Sequence, residues 1–345
     1  MSVFSRDQAD SHHLPTFSPP LIIHCAYMKV ALVTGDLTPA LSFPSLVISH
    51  FFVAGMKIAA VQYYVNHEDR FSNWDRITAF VEEAAKEGVD LLVFPEYSIG
   101  GPVPMLALDK SACERYCQLA LTHNLDIVAG TIVERDPDDG QIYNCCYYIS
   151  NDGTVLMEYR KVHLWHPERD HVRRGNRGFG TVKNRFGITV GLAICWDIAF
   201  PEIFRHMAME NNAQLIIAPA YWVLEDAGPK SLKYDPLSEV KFLDSVCTAR
   251  AFENEICMVF CNAADAAEGQ KKPPSGALAG CTQITVPFKG CVAHCKNRTE
   301  EMIIADIDVH ELTADAEANY KIRKDWAEGY IFGGKSKDEV ETIIP

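Results

Sequence analysis

A chain of 345 residues, 48% hydrophobic and 23% charged, is long enough to bury a sizeable core, and its formal charge of −14 argues against nucleic acid or an anionic membrane surface as the main partner. Twelve cysteines without a regular framework, Cys145 and Cys146 adjacent among them, read as reduced cytoplasmic thiols rather than disulfides. The pairs Cys113/Cys117 and Cys291/Cys295 lack a matching second half, so no metal is expected.

Residues 1–55 carry His12, His13, several prolines and the apolar piece SLVISHFFVAG. No unbroken apolar run there reaches the roughly 18 residues of a membrane span. Arg6 is offset by Asp7 and Asp10, which suits neither a cleavable signal nor a transit peptide. These residues are expected to be a poorly ordered extension or an upstream-start artefact, followed by one domain over 56–330 and a tail over 331–345.

From Met56 strands and helices alternate. MKIAAVQ reads as a strand, SNWDRITAFVEEAAKEG as a helix capped by Ser72 or Asn73 and stopped at Gly88, and VDLLVFPE as a second strand. CERYCQLALTHN reads as a helix and DIVAGTIVE as one further strand. Residues 142–150 and 154–160 form a hairpin turned by Asn151-Asp152-Gly153. A polar loop leads to strands at 182–185 and 188–194, a helix opening at Pro201, the strand LIIAPA, a long helix over 237–254, the strand ICMVFCNAA, and two or three strands over 282–307. Helices that follow strands, with strands in excess, predict an α/β sandwich with sheets inside and helices outside.

Three residues sit where such a fold places chemistry. Glu96 ends LLVFPE, Lys161 follows a strand in EYRKVHLW, and Cys195 stands between the strand ITVGLAI and the helix at Pro201. Singly, each is ordinary: a free cysteine is most often a small hydrophobe and a strand-end charge is most often solvated. At the C-terminal ends of three apolar strands they point to one edge, where ligands of α/β sheets collect. The strand-to-helix position favours a thiolate and can bind an oxyanion; a nearby Lys161 is expected to lower the thiol pKa and Glu96 to take its proton. Trp196 beside the thiol, and Tyr221 and Trp222 after LIIAPA, are candidates to line a substrate pocket.

In this order VFPEYS, YRKVHLW and ICWDIAFPE resemble the three signature segments of the nitrilase superfamily of carbon–nitrogen hydrolases, and LIIAPA, TARAFENE and ANYKIRKDW extend the likeness over roughly 56–326. The resemblance implies a four-layer αββα fold of the nitrilase type, pairing into homodimers or larger assemblies, and no cofactor. It assigns Glu96 as general base, Lys161 as the ammonium beside the oxyanion and Cys195 as nucleophile. Glu168, in HPERDHVRRG, matches a second acidic residue that orients the lysine. The implied substrate is a small amide or N-carbamoyl compound, cleaved through a thioester with release of ammonia. Asp197 is similar to the amidase and carbamoylase branches, where true nitrilases usually carry Glu. A nitrile substrate, acyl transfer to an amine, and a catalytically silent scaffold stay open as alternatives. Ala199 replaces an arginine common in the family, and Arg173, Arg174 or Arg177 is either a receptor for a substrate carboxylate or part of a solvated basic loop.

Overall fold

Alternation along the first strand, β1 (Met56–Gln62), sets the layering. Ile58 and Ala60 pack in one apolar cluster with residues of a second sheet, whereas Ala59 and Val61 pack in another with helices. The computed structural model describes residues 55–101, 111–273 and 275–329. Gly55 apart, the expected extension and tail lie outside these.

After β1 come α1 (Arg70–Lys86), β2 (Leu91–Val93), α2 (Ser111–His123), β3 (Asp126–Val128), β4 (Ile132–Arg135), β5 (Ile142–Ile149), β6 (Val155–Arg160), β7 (Thr181–Lys183), β8 (Thr189–Leu192) and α3 (Pro201–Met209). They are followed by β9 (Leu215–Ala220), α4 (Gly228–Leu232), α5 (Ser238–Asn254), β10 (Cys257–Asn262), β11 (Gln283–Val286), β12 (Gly290–His294), β13 (Glu301–Ile307), α6 (Val309–Tyr320) and α7 (Ile322–Ala327). One sheet runs β13-β1-β2-β3-β5-β4 with β6 on β5, and the other runs β12-β11-β10-β9-β8-β7. β1, β2 and β3 are parallel, as are β8, β9 and β10. Trp74, Ile77 and Val81 of α1 and Tyr116 of α2 cover one outer face, and Phe204 and Met207 of α3 with Leu243 and Val246 of α5 cover the other. This is the four-layer αββα arrangement expected. Each fully buried aliphatic side chain contributes about 1.5–3 kcal/mol to holding it.

Three local readings change. α1 begins at Arg70, because Asp69 and not Ser72 or Asn73 caps it, accepting from Phe71 N at 3.0 Å and Ser72 N at 3.2 Å. DIVAGTIVE is two strands, both running along β5: Ile127 lies opposite Ile149 and Ile132 opposite Cys145. Between them Gly130 has φ +68°, and a Cβ there would lie 2.0 Å from the Pro95 carbonyl oxygen. The break thus lets the segment carrying Glu96 approach. Finally, α6 and α7 follow the last strand, where the sequence predicts no element. Asp308 caps α6 by accepting from Glu311 N at 2.8 Å, and Glu255, at the end of α5, accepts Ile322 N of α7 at 2.8 Å.

Candidate active site

Cys195 opens a short 3-10 turn, Cys195–Ala199, between β8 and α3, with φ +47°, a conformation that costs a non-glycine residue about 1–2 kcal/mol. Asp197 holds the turn. Its Oδ2 accepts from Ile194 N at 2.9 Å and Tyr159 OH at 2.8 Å, and its Oδ1 accepts from His163 N at 3.0 Å and pairs with His163 Nδ1 at 2.8 Å. A fully buried carboxylate needs partners on this scale. These bonds fasten the elbow bearing Cys195 to the segment after β6 that bears Lys161. Asp197 is therefore a latch, and it does not line the cavity beside the thiol.

Glu96, Lys161 and Glu168 form a buried cluster. Lys161 Nζ lies 2.9 Å from Glu96 Oε1 and 2.7 Å from Glu168 Oε2. Glu96 Oε1 also accepts from Asn144 Nδ2 at 2.8 Å, and its Oε2 accepts from Tyr221 N at 2.9 Å. Glu168 sits on the 3-10 turn His166–Asp170 and accepts from Tyr97 OH and Trp165 N, each at 2.7 Å. The Cys195 thiol lines the same cavity as Glu96, close enough to feel its charge. Thus the four residues expected from sequence meet at one place.

The electrostatics differ from the sequence expectation at the thiol. Burial and the Glu96 charge push the Cys195 thiol well above its ordinary range, and Lys161 offsets only part of this. One ammonium between two carboxylates leaves the surroundings net negative, so the resting sulfur is protonated and Lys161 does not produce a thiolate by itself. Burial also raises the Glu96 carboxyl, against the pull of Lys161. For Glu168, burial acts upward, but Lys161 together with the hydrogen bonds from Tyr97 OH and Trp165 N holds the carboxyl below its ordinary value. Burial likewise opposes the charge on Lys161, yet Glu168 and Glu96 keep the ammonium protonated. A carboxylate beside the thiol can take its proton as the sulfur attacks.

These groups open onto a cavity of about 440 Å³ that includes Trp196, Tyr221 and Trp222, the three residues expected to line a pocket. Arg173, Arg174 and Arg177 do not line it: Arg173 Nε donates to Gln141 Oε1 at 2.8 Å and Arg177 pairs with Glu158 at 2.8 Å. Sequence reasoning missed Asn144, Tyr97, Trp165, His67 and Asp226. Asn144 was marked by a signal, a polar residue on the inward face of an apolar strand, alternating with Cys146 and Tyr148. His67 accepts Gly101 N–H on Nδ1 at 3.2 Å, which leaves the proton on Nε2, 2.8 Å from Tyr221 OH. Burial lowers its pKa to about 4, consistent with that neutral form.

The family model described as carbon-nitrogen hydrolase matches residues 57–317. A probable nitrilase of Schizosaccharomyces pombe is 31% identical over 215 residues, which are 59% of this chain and 73% of that protein. The 2-oxoglutaramate amidase of Bacillus subtilis is 27% identical over 261 residues, 74% of this chain and 91% of that one. The crystal structure of Saccharomyces cerevisiae Nit3, a member of branch 10 of the nitrilase superfamily, is similar with a TM-score of 0.63 at 25% identity, over 77% of this chain and 94% of that chain. With about three quarters of its length matched, two central sheets in the same fold, and a thiol, a carboxylate and an ammonium gathered at their edge, the chain belongs to the carbon-nitrogen hydrolase family.

Proposed function

We propose that the protein hydrolyses the carbon–nitrogen bond of a small amide or N-carbamoyl compound through a thioester on Cys195. The observation that carries this reading is the convergence of the Cys195 thiol, the Glu96 carboxylate and the Lys161 ammonium on one cavity. Glu96 takes the thiol proton as sulfur attacks the carbonyl carbon. The oxyanion is met by Lys161 Nζ and by Trp196 N–H, an amide of the first turn that a short helix leaves without an internal acceptor. Collapse of the intermediate breaks the C–N bond, and Glu96 returns the proton to the departing nitrogen, which leaves as ammonia. Glu96 then draws a proton from water, whose oxygen attacks the thioester; the carboxylic acid leaves and the thiol is restored. Glu168 and Asn144 keep Lys161 and Glu96 in place throughout.

Intact-protein mass spectrometry after brief exposure to primary amides, N-carbamoyl amino acids and nitriles, with ammonia measured in parallel, tests the reading. An acyl adduct on the wild type, absent from Cys195→Ala and accompanied by ammonia, is expected from the amides or carbamoyl compounds. Ammonia from both proteins, or from neither with any amide, would refute it. We further read the chain as a cytoplasmic homodimer. Eleven free cysteines among the described residues fit a reducing compartment, and the exposed, stacked pair Phe288 and Tyr320 offers apolar surface for association. Light scattering on the purified protein checks the dimer.

A further inference from the structure

The cavity beside Cys195 has a charge that the amide chemistry does not use. Besides Glu96 and Glu168, its wall carries a third carboxylate, Asp226, and its described lining contains no arginine. Lys161 is occupied by Glu96 and Glu168, at 2.9 and 2.7 Å. His67 is neutral, as its hydrogen bonds require, and His171 stands at the exposed rim. A substrate tail bearing a carboxylate would therefore meet Asp226 and no uncommitted lysine or arginine among these residues.

Asp226 is set among aromatic rings. Its Oδ2 accepts Val223 N at 3.1 Å, and Asp226 lines the cavity together with Trp165, Trp196 and Trp222. The Trp165 and Trp196 rings meet edge to face at 4.6 Å, and the Trp196 and Trp222 rings lie 5.6 Å apart. Trp222 is in turn fixed by its indole N–H, which donates to Glu239 Oε2 at 2.6 Å. Glu239 thus locks one of the three indoles lining the same cavity. A carboxylate beside aromatic rings is the environment in which a desolvated ammonium is stabilised, by ion pairing and by the negative ring faces.

Resting on the amide-hydrolase reading above, we propose that this cavity selects amides whose far end is a protonated amine, received by Asp226 among the indoles of Trp165, Trp196 and Trp222. The scissile carbonyl lies at Cys195 and the ammonium at Asp226. Asp226 is then a specificity residue, held by Val223 N.

Burial raises the Asp226 carboxyl to about 6, helped by the Glu239 charge and opposed by the Val223 N–H, by Lys161 and by Trp165. A cation bound beside it restores the charged form. The preference for an amine is accordingly stronger at pH 7.5 than at pH 5, where much of Asp226 is protonated.

The experiment compares ω-amino amides with n-alkyl amides and ω-carboxy amides of matched length. For wild type, kcat/KM is expected to be roughly ten-fold higher for the amine than for the neutral amide, and lower again for the carboxylate. In Asp226→Asn the amine-to-neutral ratio falls towards one, whereas Asp226→Glu retains part of it. Equal turnover of the three tails, a preference for the carboxylate, or an Asp226→Asn ratio equal to that of wild type would overturn the proposal. Should either variant fail to fold, the wild-type ratio at pH 5 and pH 7.5 decides, since Glu96 titrates alike for both amides; a ratio independent of pH overturns it. If wild type hydrolyses none of them, calorimetric binding of the same three amides separates the two readings. Tighter binding of the amine upholds the cavity's selectivity while the hydrolase reading fails, and equal binding removes the selectivity as well.

Discussion

Glu96 shares the cavity wall with the Cys195 thiol, is paired with Lys161 at 2.9 Å and accepts from Tyr221 N at 2.9 Å, so chemistry and positioning meet in one side chain. Glu96→Gln keeps an acceptor but removes the base, and kcat is expected to fall by roughly 10²–10⁴ with folding intact; a smaller loss would assign proton transfer elsewhere. Because burial raises the Glu96 carboxyl above its ordinary 4.5, with Glu168 adding to and Lys161 opposing the shift, the acidic limb of the kcat/KM profile is expected above pH 4.5. The sign follows from the role: below its pKa Glu96 is protonated and cannot accept the thiol proton. A limb at or below 4.5 would contradict this. At this scale the sequence displays Glu96, Lys161 and Cys195, because each ends an apolar strand within a distinctive segment. Glu168 is legible only through the family likeness. Asp226, His67 and Tyr97 are not legible, because their roles arise from neighbours far along the chain, as with Tyr97 OH and Glu168 Oε1 at 2.7 Å.

At the scale of elements, the turn after β8 and the break between β3 and β4 position the site. Asp197→Asn removes the charge that holds Tyr159 OH and the His163 ring, so the elbow loosens; a lower melting temperature together with a lower kcat is expected. Retention of full kcat would show that Cys195 keeps its place without the latch. Gly130→Ala is expected to cost more than the roughly 1 kcal/mol typical of a point change, because both the positive φ and the Pro95 carbonyl oppose a Cβ. Urea titration measures the loss, and an unchanged midpoint would exclude the close approach. Periodicity revealed most strands but concealed this break, since an isolated glycine inside an apolar run carries no mark of the backbone it must admit. α6 stayed hidden for another reason: only Val309, Thr313 and Ala316 are buried along it, too sparse an apolar stripe to read.

Over the whole molecule, the site straddles the seam between the sheets. Glu96 N donates to Ala220 O at 3.2 Å, linking the end of β2 to the end of β9, and Tyr159 OH reaches across to Asp197. The layering was legible from strands alternating with helices, but which loops meet over the seam was not, because that depends on how the two sheets dock. Activity is therefore a probe of docking. In urea, loss of ammonia release and loss of the far-ultraviolet signal are expected to coincide. Earlier loss of activity with secondary structure intact would mean that the sheets part before they melt.

The protonated, net-negative setting of Cys195 has a bearing on chemical durability. Peroxide oxidises thiolates, and burial with the Glu96 charge keeps this sulfur a thiol until a carbonyl is in place. After mild peroxide treatment, peptide mapping is expected to find exposed Cys291 modified and Cys195 intact. A resting enzyme built in this way is spared sulfenic acid at the atom it can least spare, and its exposure to oxidants is confined to the moments of turnover.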